Sequence, residues 1–202
     1  MLYSARKQEA RVTAERLKAF SDGVFAIIIT IMVLELKPPH GADFSALLEM
    51  WPLFAAYLIS FLYVAIYWNN HHHLFYTVER LNGATLWANI ALLFFLSLMP
   101  FATAWASETH FASLPMALYG VDLFLSAIAY SILVRVLLGA QAEPGLLHEA
   151  IGSDFKGKLS LALYLPGIAG SFWSPWIGAA FYVGVALIWL VPDRRIESRV
   201  AG

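Results

Sequence analysis

Residues 16–36 read RLKAFSDGVFAIIITIMVLEL. A basic, amphipathic lead ends in Phe20-Ser21-Asp22-Gly23. The apolar run behind it is interrupted only by Thr30 and, near its end, by Glu35. A bilayer core of roughly 30 Å is crossed by about 20 apolar helical residues. This one stretch is therefore long enough to span, which also argues against a cleavable signal peptide.

The rest of the chain agrees. Of its 202 residues, 60% are hydrophobic, 15% aromatic and 13% charged, where a soluble domain carries about 25% charged residues. The expected fold class is an all-α integral membrane protein with six transmembrane helices, at about 17–36, 47–74, 86–105, 115–138, 158–173 and 175–191. They form one domain over 1–202, with no soluble part. Span two is longer than a membrane requires, so its end should project into water. Pro166-Gly167 inside span five predicts a kink there. Short links marked by Gly and Pro join the spans, except for GAQAEPGLLHEAIGSDFKGK (139–158), which is expected to hold a brief interfacial turn. With no cysteine in the chain, disulfides, thiolate metal sites and cysteine catalysis are excluded.

Charge sets the orientation. With six spans, Arg6, Lys7, Arg11, Arg16, Lys18, Arg80, Arg135, Lys156, Lys158, Arg194, Arg195 and Arg199 fall on one side, and Lys37 alone on the other. Cytoplasmic segments concentrate Lys and Arg, so both termini are expected in the cytoplasm. Trp51, Trp68, Trp105, Trp173, Trp176 and Trp189 sit near span ends, where aromatic belts form.

Along span one, Gly23, Ile27, Thr30 and Leu34 share a helical stripe, with Ile31 beside it. Such a stripe suits packing against lipid or a core, with Thr30 bonding back to a carbonyl one turn earlier. It can also serve as a pore lining, in which aliphatic side chains close the path by dewetting and a ring of hydroxyls replaces part of an ion's hydration shell. Periodicity does not choose between the two. Ser21 and Asp22 have the chemistry of an N-cap. Asp22 also lies six residues after Arg16, and a charged group at a span's edge calls for a partner. Span two ends in YWNNHHHLFYTVER on the same side, and Trp68 and His72, one turn apart on one face, can reach the start of span one. Three consecutive histidines cover about 200° of helix, so they cannot converge on one metal. A hydrogen-bonding anchor for Arg16 and Asp22 is the expected role. Asp122, in YGVDLF, is expected to make a helix-packing hydrogen bond.

Arg16-x-x-x-Phe20-Ser21-Asp22 followed by GVFAIIITIMVLEL resembles the signature of the transmembrane protein 175 family, lysosomal potassium channels with shorter bacterial homologues. The layout matches over the whole chain, while the specific motif lies in span one, supported by Trp68 and His72. The resemblance implies a potassium-preferring channel, multi-pass in the cell's inner (plasma) membrane, built as a homotetramer around a central pore lined by span one. Ile27, Ile31 and Leu34 would form the constriction, and Thr30 the selectivity layer, with transient K⁺ nearby. Arg16, Phe20, Ser21, Asp22, Trp68 and His72 would hold the pore helix. The implied partners are membrane lipid and monovalent cations, with no nucleic acid, no cofactor beyond permeant K⁺ and no enzymatic activity. No Thr-Val-Gly-Tyr-Gly filter occurs in the chain, so selectivity would come from side chains. Glu35 could draw cations to the mouth, or pair with Lys37.

The alternative is a proton-coupled transporter using Asp22, His72 and Asp122. A carrier is expected to show repeats or broken helices around a midplane site, and no internal repeat is visible. A membrane enzyme would need a nucleophile or metal cluster, which the scattered Ser and His do not supply.

Overall fold

A computed structural model describes residues 2–76, 78, 81–140 and 155–190, with backbone alone at 2–13 and 76. Every described element is a helix: α1 (Leu2–Leu34), α2 (Phe44–Glu49), α3 (Trp51–Tyr76), α4 (Gly83–Ser97), α5 (Met99–Glu108), α6 (Ser113–Ala140), α7 (Phe155–Ser171) and α8 (Pro175–Leu190). The link 141–154, Arg80, Arg194, Arg195 and Arg199 lie outside the described residues, as do the side chains of Arg6, Lys7 and Arg11.

The charged lead and the apolar run form one helix of 33 residues. The lead is rich in Ala, Glu, Lys, Arg and Gln, all strong helix formers, so nothing stops the helix before the membrane. Ser21 and Asp22 therefore sit in mid-helix, and the N-cap reading of this pair is corrected. α1 ends just before Pro38 and Pro39, which cannot continue it.

Two expected spans are broken by prolines. The stretch 47–74 divides into the short α2, capped by Asp43 Oδ1 accepting from the Ala46 N–H at 3.0 Å, and the long α3. Pro52 stands in the first turn of α3, where its missing N–H is not needed. The stretch 86–105 divides at Leu98 into α4 and α5, again with a proline, Pro100, in the first turn of the new helix. By contrast, α7 continues through Pro166.

Four stretches are long and apolar enough to cross a membrane: Ala14–Leu34, Trp51–Phe75, Gly83–Glu108 (α4 and α5 together) and Ser113–Ala140. α7 and α8 are shorter, at 17 and 16 residues, or about 25 Å of helix each.

The core lies between α3, α4, α5, α6, α7 and α8, where Val64, Leu92, Leu96, Met99, Leu123, Leu133, Leu137 and Val185 are completely buried. Several polar groups inside are paired across helices. Tyr63 Oη donates to the Tyr182 carbonyl at 2.6 Å, the hydroxyls of Thr103 and Ser60 share a hydrogen bond at 2.7 Å, and Trp189 Nε1 donates to Ser160 Oγ at 2.9 Å. Small residues let α6, α7 and α8 approach closely. A Cβ on Gly120 would run into the hydroxyl and ring of Tyr182, and one on Gly178 into Ser171. At the α5–α6 turn, His110 and Phe111 adopt positive φ (50° and 60°). That strain, about 1–2 kcal/mol per residue, accompanies the seating of the Phe111 ring against Trp51 and Trp176, which stack on each other at 6.2 Å.

Candidate functional site

α1 packs on α3, α4 and α5. Its inward stripe is Leu17, Ser21, Phe25, Ile28 and Met32, all buried. Its outward stripe is bare: Phe20 is 59% exposed, Ile27 57%, Ile31 43% and Leu34 73%, with Gly23 and Thr30 also exposed. The helix thus has two apolar faces, and the bundle uses one. Thr30 Oγ1 donates to the Ile27 carbonyl at 2.9 Å, so its proton is occupied while its lone pairs stay free on the outward face.

Two polar attachments hold α1. At the edge, Trp68 Nε1 donates to Asp22 Oδ1 at 2.9 Å. The Trp68 ring lies 5.8 Å from that of His72, which is exposed. Arg16 is exposed and forms no ion pair with Asp22. The sequence-derived set thus divides: Asp22 and Trp68 are joined, Ser21 is attached elsewhere, and Arg16, Phe20 and His72 stand apart.

The second attachment is buried and uses residues the sequence reading did not single out. Ser21 Oγ donates to the Leu17 carbonyl at 2.9 Å, which commits its only proton. It therefore accepts from Asn89 Nδ2 at 3.0 Å. The amide oxygen of Asn89 then faces His71 Nε2 at 2.8 Å, so that nitrogen carries the hydrogen and donates. His71 is 1% exposed, packed between Phe25 (5.6 Å) and Phe75 (4.4 Å). The result is a one-way chain, His71 to Asn89 to Ser21 to the α1 backbone, linking α3 and α4 to α1. Of the three histidines, His71 carries the anchor. One signal for it was present: an asparagine in the apolar run of α4 is expensive unless paired.

Beyond the far end of α1, Glu35 and Lys37 line a cleft with Glu49, Glu108 and His110. Glu35 and Lys37 are not ion-paired; the Lys37 N–H donates to the Glu35 carbonyl at 2.8 Å. Asp122 makes no packing hydrogen bond: neither carboxyl oxygen has a partner among the described residues, which corrects that expectation. No group of three or more His, Cys, Asp or Glu suited to a metal occurs among them.

Membrane-length apolar helices, joined by buried polar pairs and led by a helix with a second, unpacked apolar face, define a multi-pass helical membrane protein. The chain belongs to the TMEM175 family. Residues 16–100 match the family described as "Endosomal/lysosomal potassium channel TMEM175". The chain is 58% identical over 93% of its length to a potassium channel of Chryseobacterium sp. (strain P1-3), of which it covers 97%. It is 33% identical to the endosomal/lysosomal proton channel TMEM175 of Gallus gallus, over 48% of this chain and 22% of that one. Its fold matches the crystal structure of a lysosomal potassium-selective channel TMEM175 homolog from Chamaesiphon minutus, with a TM-score of 0.79, 31% identity, and coverage of 89% of this chain and 97% of the other.

Proposed function

We propose that the protein is a potassium-preferring cation channel, a homotetramer in which the outward faces of four α1 helices enclose a central pore. The observation that carries this reading is the bare stripe Phe20, Ile27, Ile31 and Leu34, with Thr30 among them. Facing lipid, this stripe would also leave the carboxylate of Asp22 exposed at the membrane's edge, which is costly. Facing copies of itself, it makes Ile27 the main constriction, Ile31 and Leu34 further apolar walls, and Thr30 a ring of hydroxyl oxygens. Asp22 with Trp68, and Ser21 with Asn89, hold the pore helix, while Arg16, Phe20 and His72 flank these attachments. The bacterial relatives, a potassium channel and a potassium-selective channel, support the same reading.

In this arrangement α7 and α8 complete six spans, crossing a locally thinned bilayer. The Lys and Arg asymmetry supports cytoplasmic termini for a protein of the cell's inner membrane. The carboxylates of Glu35, Glu49 and Glu108 lie at the outer mouth and raise the local cation concentration. A carrier working through Asp22 and His72 finds less support, because Asp22 is bonded to Trp68 and not to His72.

The test is current across a planar bilayer holding purified protein, with potassium on one side and sodium on the other. A reversal potential displaced toward potassium, and less displaced in Thr30→Ala, is the expected result. Ile27→Asn should raise conductance and weaken selectivity by admitting water at the constriction. Saturating, proton-dependent flux without channel current would refute the proposal.

A further inference from the structure

At the end of the bundle where Trp68 holds Asp22, a gap separates α3 from α6 and α7. The bonds of Trp68 and His71 draw α3 toward α1 and α4 there. Across the gap it meets α6 and α7 through large rings: Tyr67 lies edge to face on Tyr130 at 5.9 Å, and Tyr164 Oη donates to Tyr63 Oη at 3.4 Å. Side chains of that size set helix axes apart. The resulting crevice is about 470 Å³ including its open entrance, and Ile66, Tyr67, Ala127, Tyr130, Tyr164 and Trp189 wall it. The polar groups along it bond back to their own helices. Asn70 Nδ2 donates to the Ile66 carbonyl at 2.8 Å, Ser131 Oγ to the Ala127 carbonyl at 2.9 Å, and Ser160 Oγ to the Lys156 carbonyl at 2.8 Å. What faces the space is hydrocarbon and aromatic surface, so a polar group placed inside would shed its water without replacement.

The entrance is basic. Ser131, Gly157 and Ser160 line the crevice. Arg135 stands one turn past Ser131 on α6, Lys156 one turn before Ser160 on α7, and Lys158 directly after Gly157. Arg135 and Lys158 are exposed and Lys156 is half-buried. The helices around the crevice bring no carboxylate to this end: α3, α7 and α8 contain neither Asp nor Glu, and the single acid of α6, Asp122, lies about two turns deeper than Tyr130. An apolar slot with cations at its rim is complementary to a molecule that is greasy at one end and anionic at the other.

We propose that this crevice binds an anionic phospholipid of the surrounding bilayer, with part of one acyl chain between α3 and the α6–α7 pair and the phosphate outside, at Arg135 and Lys156. The chain removes water from the aromatic walls, and the phosphate meets cations of the kind that hold acidic headgroups between membrane helices. A neutral phospholipid fills the slot and leaves the cations unused. A free phosphate uses the cations and leaves the slot empty. The site stands independently of what permeates along α1.

Native mass spectrometry of the full-length protein in neutral detergent tests this, by titration with phosphatidylglycerol and, separately, with phosphatidylcholine of the same chains. Tighter retention of phosphatidylglycerol is expected, falling about fivefold for each cation removed in Arg135→Gln and in Arg135→Gln with Lys156→Gln. Ala127→Phe keeps both cations but fills the crevice, and should lose the bound lipid. Equal retention of the two lipids would overturn the proposal, as would a preference untouched by the double substitution. Full retention in Ala127→Phe would overturn it too, since surface charge alone would then hold the lipid. Should Ala127→Phe fail to fold, inorganic phosphate added to the parent protein makes the same distinction: bound phosphatidylglycerol that phosphate leaves in place supports the crevice, and displacement by phosphate overturns it.

Discussion

Replacing Asn89 with leucine should expose how firmly α1 is held. The substitution keeps side-chain bulk but removes both bonds that Asn89 makes, to His71 Nε2 at 2.8 Å and to Ser21 Oγ at 3.0 Å. Ser21 suffers little, because its proton stays on the Leu17 carbonyl. His71, 1% exposed, is left with a donor that has nowhere to go. A buried unsatisfied donor costs about 1–3 kcal/mol, and an interhelical side-chain bond in a membrane bundle averages about 0.6 kcal/mol. The expected loss is about 2 kcal/mol, a factor of about 30 in the unfolding equilibrium. SDS titration in mixed micelles, followed by circular dichroism, measures it. His71→Phe alone should also destabilise, by orphaning the Asn89 oxygen. Combining the two should recover about 1 kcal/mol of the summed losses, since the ring can still pack on Phe25 and Phe75 and removing both partners leaves no orphan. Strictly additive losses, or an Asn89→Leu variant as stable as the parent, would refute the one-way chain.

Three further outcomes are expected. Asp22→Ala leaves Trp68 Nε1 without its acceptor and should reduce assembly, read as a smaller oligomer fraction on size-exclusion chromatography; a fully assembled variant with changed permeation would show instead that Asp22 acts on ions. Gly120→Ala should cost about 1–3 kcal/mol, because the added methyl displaces Tyr182, whose hydroxyl is bonded to the Met116 carbonyl at 3.3 Å; SDS titration measures this too. The Ala46 N–H, followed by the Ser45 side chain, holds the Asp43 carboxyl below its usual range, so the α2 cap is complete above the ordinary carboxylate pKa and weakens as pH falls through the lowered value. Amide exchange at Ala46, extrapolated for intrinsic pH effects, should show that loss in the parent and not in Asp43→Asn.

The membrane-length helices were legible because their signal is additive: a run of apolar residues reads as a run wherever it lies, and α1, α3 and α6 are such runs. Their interruptions were not. Pro52 and Pro100 lie within continuous apolar text, and whether a proline bends a helix or starts a new one depends on whether a neighbour satisfies the freed carbonyl. α7 runs through Pro166 under the same local rule. At the site, Trp68 and His72 were both legible as within reach of Asp22, because all three stand near span ends on the same side, but which of them bonds it was not. The partnership of Ser21 with Asn89 and His71 was not, since it depends on how α3 and α4 rotate about their axes. Three adjacent histidines look alike in a sequence, and only packing distinguishes the buried His71 from the exposed His72.

The bond to Ser21 also acts as an indexing pin. An α-helix advances about 100° per residue, so nine residues amount to two and a half turns. Thr30 consequently points directly away from Ser21. Fastening Ser21 to Asn89 therefore sets the azimuth of the whole helix, and with it which side chain stands at the centre of the bare face. Slipping by a single residue would turn Thr30 aside and bring an isoleucine from position 29 or 31 toward its place. The hydroxyl is thus aimed by a contact nine residues away, on the side of the helix that never meets it.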